Sequence, residues 1–159
     1  PQSPGAEDNA SGMAVMLELA RMTAEQPAGL PVRYIAFGAE EPRGPGDDWH
    51  HYGSRHYVAE LDAAVRVAFT AMVSLDRVGV PTDAPIAHGG RGTDRIARAL
   101  EASAEVPVVR GTNTTSDHWS FEKAGIPAAR LGSVPYAGYH SARDTPDVVN
   151  EDNSDAPVP

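Results

Sequence analysis

Short β-rich runs alternate with helical periods along this chain, and that alternation is what most limits the folds open to it. Asn9 to Ala24 predicts a helix, because Ala14, Leu17 and Ala20 recur at helical spacing with Met13 and Met16 beside them. Val32 to Phe37 is a β-rich run after Gly29 and Pro31, which predicts a strand. Gly53 to Val65 predicts a helix, and Val67 to Leu75 a buried strand. Thr93 to Ala102 predicts an amphipathic helix with Ile96, Ala99 and Leu100 on one face, and Val106 to Val109 a short strand. Ser116 to Ala124 reads as a short helix capped by Ser116 and stopped by Gly125, before a last strand over Ala128 to Leu131. This order predicts an α/β fold, a three-layer α/β/α sandwich with a mixed, mainly parallel sheet. Pro42 to Asp48 is rich in Pro and Gly and predicts a long loop. Residues 150–159 form a polar, Pro-containing tail, set apart from a folded domain over 1–149.

Composition narrows the chemistry. Cysteine is absent, so disulfides and thiolate metal sites are excluded, and any metal must be held by imidazole and carboxylate. A length of 159 residues suits one domain that buries a core without such staples. The formal net charge is −9, which argues against nucleic acid or an anionic membrane as the main partner. No apolar run is long enough to span a bilayer.

Ligands of open α/β sheets bind beyond the carboxyl ends of the strands, so polar residues at strand exits carry most of the information. The first predicted strand runs into Glu40-Glu41, the second ends at Asp76, and the last leads through Pro135 to Tyr139 and then to His140. Asp8 stands just before the first helix. Adjacent carboxylates repel one another and lose hydration after a buried strand, unless a cation sits beside them. Glu40-Glu41 is therefore either an exposed turn or part of a cation site. The common topology of Asp76 and His140 supports the second reading.

These residues fall in segments that resemble a known family. Gly5-Ala6-Glu7-Asp8-Asn9-Ala10-Ser11-Gly12 resembles the bridging-aspartate motif of the M28 zinc aminopeptidases. Phe37-Gly38-Ala39-Glu40-Glu41 is similar to their paired-glutamate motif, and Gly53-Ser54-Arg55-His56-Tyr57 to the helix start after it. Ser74-Leu75-Asp76-Arg77-Val78-Gly79 resembles the next ligand strand. Ser116-Asp117-His118 with Phe121, then Ala124 to Ala128, is similar to a further signature. Tyr139-His140-Ser141 with Asp144-Thr145 resembles the last ligand motif. The matches follow the family's order.

The resemblance implies a zinc-exopeptidase fold and a metallo-aminopeptidase that hydrolyses the N-terminal residue of a peptide. Asp8 would bridge two zinc ions, Glu41 and His140 would complete one site, and Asp76 would belong to the other. Glu40 would be the general base toward the metal-bound water, and Tyr139 would donate a hydrogen bond to the oxyanion. Trp49 and His118 are the candidate substrate contacts, and His118 is otherwise structural. The family's first ligand is a His in a His-x-Asp motif well before the bridging aspartate, and only seven residues precede Asp8 here. That His and the early strands are therefore expected to lie outside this chain, which alone would bind zinc weakly at the Asp76 site and be poorly active. The family's usual C-terminal helix is not apparent in the tail.

The loop after Glu41 is longer than the family turn. Its Asp47-Asp48-Trp49-His50-His51 run could hold an extra metal, but neighbouring histidines in a loop are usually solvated or packed. Glu7 is expected to be a solvated neighbour of Asp8, and His88 structural. Two alternatives stay open: a single-zinc glutaminyl cyclase on the same scaffold, and a non-catalytic peptidase-like binding domain. The compartment is open, with an extracytoplasmic location preferred to a cytoplasmic one.

Overall fold

The computed structural model describes residues 3–80, 86–89, 94–105, 108–133, 136 and 138–149, with backbone alone at Asp47 and at 86–89. Readings of the tail, the Val106 end of a predicted strand, Thr93, Pro135 and the His88 side chain lie outside the described residues. The chain divides into two compact units. The first takes Pro1–Ile35, Leu75–Asp83 and Gly132–Pro159, and the second Ala36–Ser74 and Ala84–Leu131.

In the first unit a wide turn, Ala6–Ser11, leads into helix α1, Gly12–Glu25. The turn is not regular helix, since Asp8 and Asn9 leave the helical backbone and the peptide between them is cis. α1 ends at Gln26, which takes an extended backbone before Pro27, as a residue preceding proline must. The predicted helix is present, yet only Gly12 of it is buried, and Leu17 is 63% exposed. Hydrophobic period sets the helix, but it does not decide what covers its apolar face. A short 3-10 turn, Pro146–Val148, also belongs to this unit.

The second unit carries helices α2, Tyr52–Glu60; α3, Ala63–Ala68; α4, Arg95–Ser103; and α5, His118–Lys123. A 3-10 turn covers Asp47–Trp49. Strands β1, Met72–Leu75; β2, Ile86–Gly89; β3, Val109–Thr112; and β4, Ala128–Gly132 form one sheet in the order β1-β4-β2-β3. β2 and β3 run parallel with Ile86 opposite Val109, so the chain has the expected α/β fold. One cluster of buried residues, Val58, Phe121, Ile126 and Ala128, gathers Phe37, Tyr57, Phe69 and Met72 around it. Phe121 is central: the rings of Phe37, Tyr57 and Phe69 all lie within about 6 Å of its own. A second cluster joins Ile96, Ala97 and Ala129.

Four expectations need correction. No strand forms over Val32–Phe37, because β-rich composition supplies only side chains, and a strand also needs a neighbour's ladder hydrogen bonds. The predicted helix over Gly53 to Val65 breaks at Leu61, and Asp62 caps a new helix by accepting the Ala64 amide at 2.8 Å. α3 then occupies the start of the expected Val67 strand, leaving only Met72–Leu75. α5 starts at His118, not Ser116, whose buried hydroxyl lies 3.1 Å from that of Ser74. The stop is as read: Gly125 has a φ of 79°, and its amide bonds to the Glu122 carbonyl.

Candidate functional site

In the first unit Asp8 is presented by a turn that other polar residues hold in place. The Asp144 carboxylate is closed to solvent and accepts the amides of Glu7 at 2.8 Å and Asp8 at 3.1 Å. Burial alone would raise the Asp144 pKa, but the hydrogen bonds it accepts, that of the Glu7 amide foremost, together outweigh it and hold the group below the usual carboxylate range. Glu7 is not a solvated neighbour. It is fully buried and accepts the amides of Gly79 at 2.9 Å and Val80 at 3.0 Å. Burial, the largest influence on Glu7, pushes its pKa up in spite of those bonds.

Asn9 ties the Asp8 turn to the Asp76 segment. Its Nδ2 donates to the Leu75 carbonyl at 2.8 Å, while its Oδ1 accepts the amides of Gly12 and Arg77, each at 3.1 Å. Both backbone neighbours of Asp76 are thereby fixed to the residue after Asp8. Gly12 is required here, since a Cβ would collide with the Leu75 carbonyl and the Asn9 side chain.

His140 brings Nε2 to 3.3 Å from Asp8 Oδ2. Two atoms each about 2.0 Å from one tetrahedral zinc stand about 3.3 Å apart, so this carboxylate and imidazole fit a shared zinc in both chemistry and spacing. The Tyr139 ring stacks on His140 with centroids 3.8 Å apart, and the Arg77 guanidinium lies 4.4 Å from the Tyr139 centroid. Arg77 Nε also stands 3.5 Å from Asp76 Oδ1. Arg77 and His140 both hold left-handed backbones, with φ of 60° and 51°. That region is sparsely populated by side chains of this size, and such residues gather at functional sites.

In the second unit Glu40 and Glu41 open the loop over residues 41–50. The loop is closed at its base by backbone bonds from His51 to Glu40, Tyr52 to Ala39 and Gly53 to Gly38, at 2.9, 3.0 and 3.2 Å. Gly53 packs so tightly on Gly38 that any Cβ would strike the Gly38 carbonyl. Glu40 Oε1 lies 3.1 Å from Nε2 of the buried His51, whereas Glu41 is exposed. Trp49 is half exposed and packs on Gly44. His118 is fully buried with Nε2 2.9 Å from the Asn113 carbonyl, so its place is inside the unit, behind the surface a ligand would meet.

Among the described residues the Asp47 to His51 run does not gather as a metal site, because the exposed Asp48 carboxylate stands toward Arg55 while His51 faces Glu40. Sequence reading gave no role to Asn9, Arg77 or Asp144, and weighed His51 only within the loop run that could hold an extra metal. Asp144 and Asn9 lie within quoted motifs, and an Asn directly after a proposed bridging Asp is the one local signal that could have been weighed.

Comparisons with known proteins bear on the whole chain. The profile described as peptidase family M28 matches residues 1–156. The chain is 43% identical over 142 residues to "Aminopeptidase YwaD" of Bacillus subtilis (strain 168), covering 89% of this chain and 28% of that protein. It thus spans under a third of that relative's length. Among solved structures, the zinc aminopeptidase BSAP of Bacillus subtilis superposes with a TM-score of 0.82 at 28% identity, over 96% of this chain and 39% of that one. A glutaminyl cyclase of Bacteroides thetaiotaomicron superposes with a TM-score of 0.74 at 21% identity, over 93% of this chain and 58% of that one, which shows a common fold alone. With residues 1–156 inside the profile, the chain belongs to peptidase family M28.

Proposed function

We propose that this chain carries the catalytic machinery of a zinc aminopeptidase that releases the N-terminal residue of a peptide. Asp8, Glu41, Asp76 and His140 would hold two zinc ions. The observation that carries the reading is the 3.3 Å approach of Asp8 Oδ2 to His140 Nε2, on a turn that Asp144 and Asn9 hold rigid. Zinc bound there supplies Lewis acidity toward a carbonyl and lowers the pKa of a coordinated water.

The chain's own residues do the rest. Glu40 takes the proton of the attacking water on Oε2, the oxygen turned away from His51, and returns it to the departing amine. Tyr139, held between Arg77 and His140, offers its hydroxyl to the oxyanion that forms as the carbonyl is attacked. Trp49 gives an apolar face to the substrate side chain.

The test is kinetic and analytical. Glu40→Gln should lower kcat by about 10²–10⁴-fold with zinc content unchanged, and Asp8→Ala should lose zinc by elemental analysis. Full turnover in the first variant, or full zinc content in the second, removes the corresponding assignment. The shared fold with a glutaminyl cyclase motivates one more arm. Peptides beginning with Gln should lose that residue by hydrolysis. Conversion to a pyroglutamyl peptide, with no cleavage of any N-terminus, would move the function to cyclisation.

A further inference from the structure

His51 is the buried ionisable group that the proposed mechanism leaves unused. It is only 2% exposed, and neither ring nitrogen makes an in-line hydrogen bond among the described residues. The ring is brought to a carboxylate, with Nε2 3.1 Å from Glu40 Oε1.

The backbone enforces that placement. The three bonds closing the base of the 41–50 loop set residue 51 directly beside residue 40. Both sides of the closure use left-handed residues, Ala39 at φ 54° and His51 at φ 56°. A left-handed backbone is disfavoured for a residue with a Cβ, so the closure is maintained against local preference. The His51 carbonyl accepts the Arg55 amide and the Ser54 hydroxyl, which anchors it to the first turn of α2. The ring is faced by the Glu40 and Asp117 carboxylates and the Thr115 backbone. Burial lowers the His51 pKa, but these acceptors more than offset it and leave it above the ordinary value.

We propose that His51 is a positioning residue for Glu40: its Nε2, 3.1 Å from Oε1, draws that oxygen in and turns Oε2 toward the reacting water. The inference rests on Glu40 being the general base. It gives the long loop after Glu41 a purpose, since the loop returns the chain so that a histidine stands where it can orient the carboxylate.

The test uses two variants of the intact, zinc-loaded enzyme. The carboxamide nitrogen of Gln overlays Nε2 of a histidine, whereas that of Asn overlays Nδ1 and falls short of Glu40. Asn also tolerates a positive φ, so His51→Asn removes the contact without adding backbone strain. His51→Asn should lower kcat by up to about 10²-fold, the scale for a misplaced catalytic group, with KM, zinc content and melting temperature unchanged. His51→Gln should recover most of kcat. In a Glu40→Gln background, His51→Asn should cost nothing further. Wild-type kcat in His51→Asn, equal loss in both His51 variants, or an additive loss in the double variant would each overturn the inference. The outcomes separate the two ideas: an active Glu40→Gln enzyme removes the base assignment, whereas an inactive one beside an active His51→Asn removes only the role of His51.

Discussion

The turn around Asp8 and the loop base at Glu40 both present carboxylates, and they are built from different materials. The Asp8 turn is held by polar groups: Asp144 on two amides, Glu7 on two more, and the Asn9 side chain on the segment that bears Asp76. Little apolar surface supports it, and the helix that follows leaves most of its apolar residues exposed. Glu40 instead stands on backbone bonds beside an aromatic core of Phe37, Tyr57, Phe69 and Phe121. Directional bonds fix where an atom points, and apolar packing fixes how firmly an element stays in place. The proposed metal ligand Asp8 relies on the first, and the proposed base Glu40 on the second.

Three substitutions sharpen that contrast, in decreasing order of effect. Phe121→Ala empties the centre of the aromatic cluster and should destabilise the protein by about 3–5 kcal/mol, read from urea unfolding. A much smaller loss would mean that packing does not support the Glu40 side. Asp144→Asn keeps the volume but replaces a charged acceptor of two amides, and should cost about 2 kcal/mol with weaker zinc uptake. Its pH dependence has a definite sign. The folded Asp144 pKa is depressed, so its stabilisation is complete above the ordinary carboxylate value and is lost as pH falls through the folded one. The melting temperature of Asp144→Asn should therefore fall less on acidification than that of the unmodified protein. Parallel acid profiles would show that the amides of Glu7 and Asp8 are not what Asp144 contributes. Gly12→Ala should cost about 1–3 kcal/mol, because the new Cβ pushes the Leu75 carbonyl away from Asn9. An unchanged melting temperature would show that the strap between Asp8 and Asp76 has slack.

The same contrast explains what could be read from the chain in advance. Helical period gave α1 and α4, and Gly125 marked the end of α5, because these are local signals. Val32–Phe37 misled because pairing is supplied by another segment, and composition does not record whether one is there. β2 was missed because Ile86-Ala87-His88-Gly89 has too few β-branched residues to stand out. The break between α2 and α3 was visible in Asp62, a cap residue inside an otherwise helical run. At the candidate site, the motifs named Asp8, Glu40, Glu41, Asp76 and His140. The supporting residues were hidden for a physical reason: Glu7 looks like any surface carboxylate until Gly79 and Val80 fold over it, and His51 acquires its neighbour only when the loop closes.

That closure has an effect on how the protein can vary. Because residues 38–40 and 51–53 are joined across the base of the loop, the stretch between them is hemmed at its root, apart from its own bonds between Arg43, Gly46 and Trp49. Adding residues to such a stretch costs only about 0.6 kcal/mol for each doubling of its length. The span around Trp49 can therefore be lengthened, shortened or rewritten to admit different side chains, while the carboxylate at its root stays where it was.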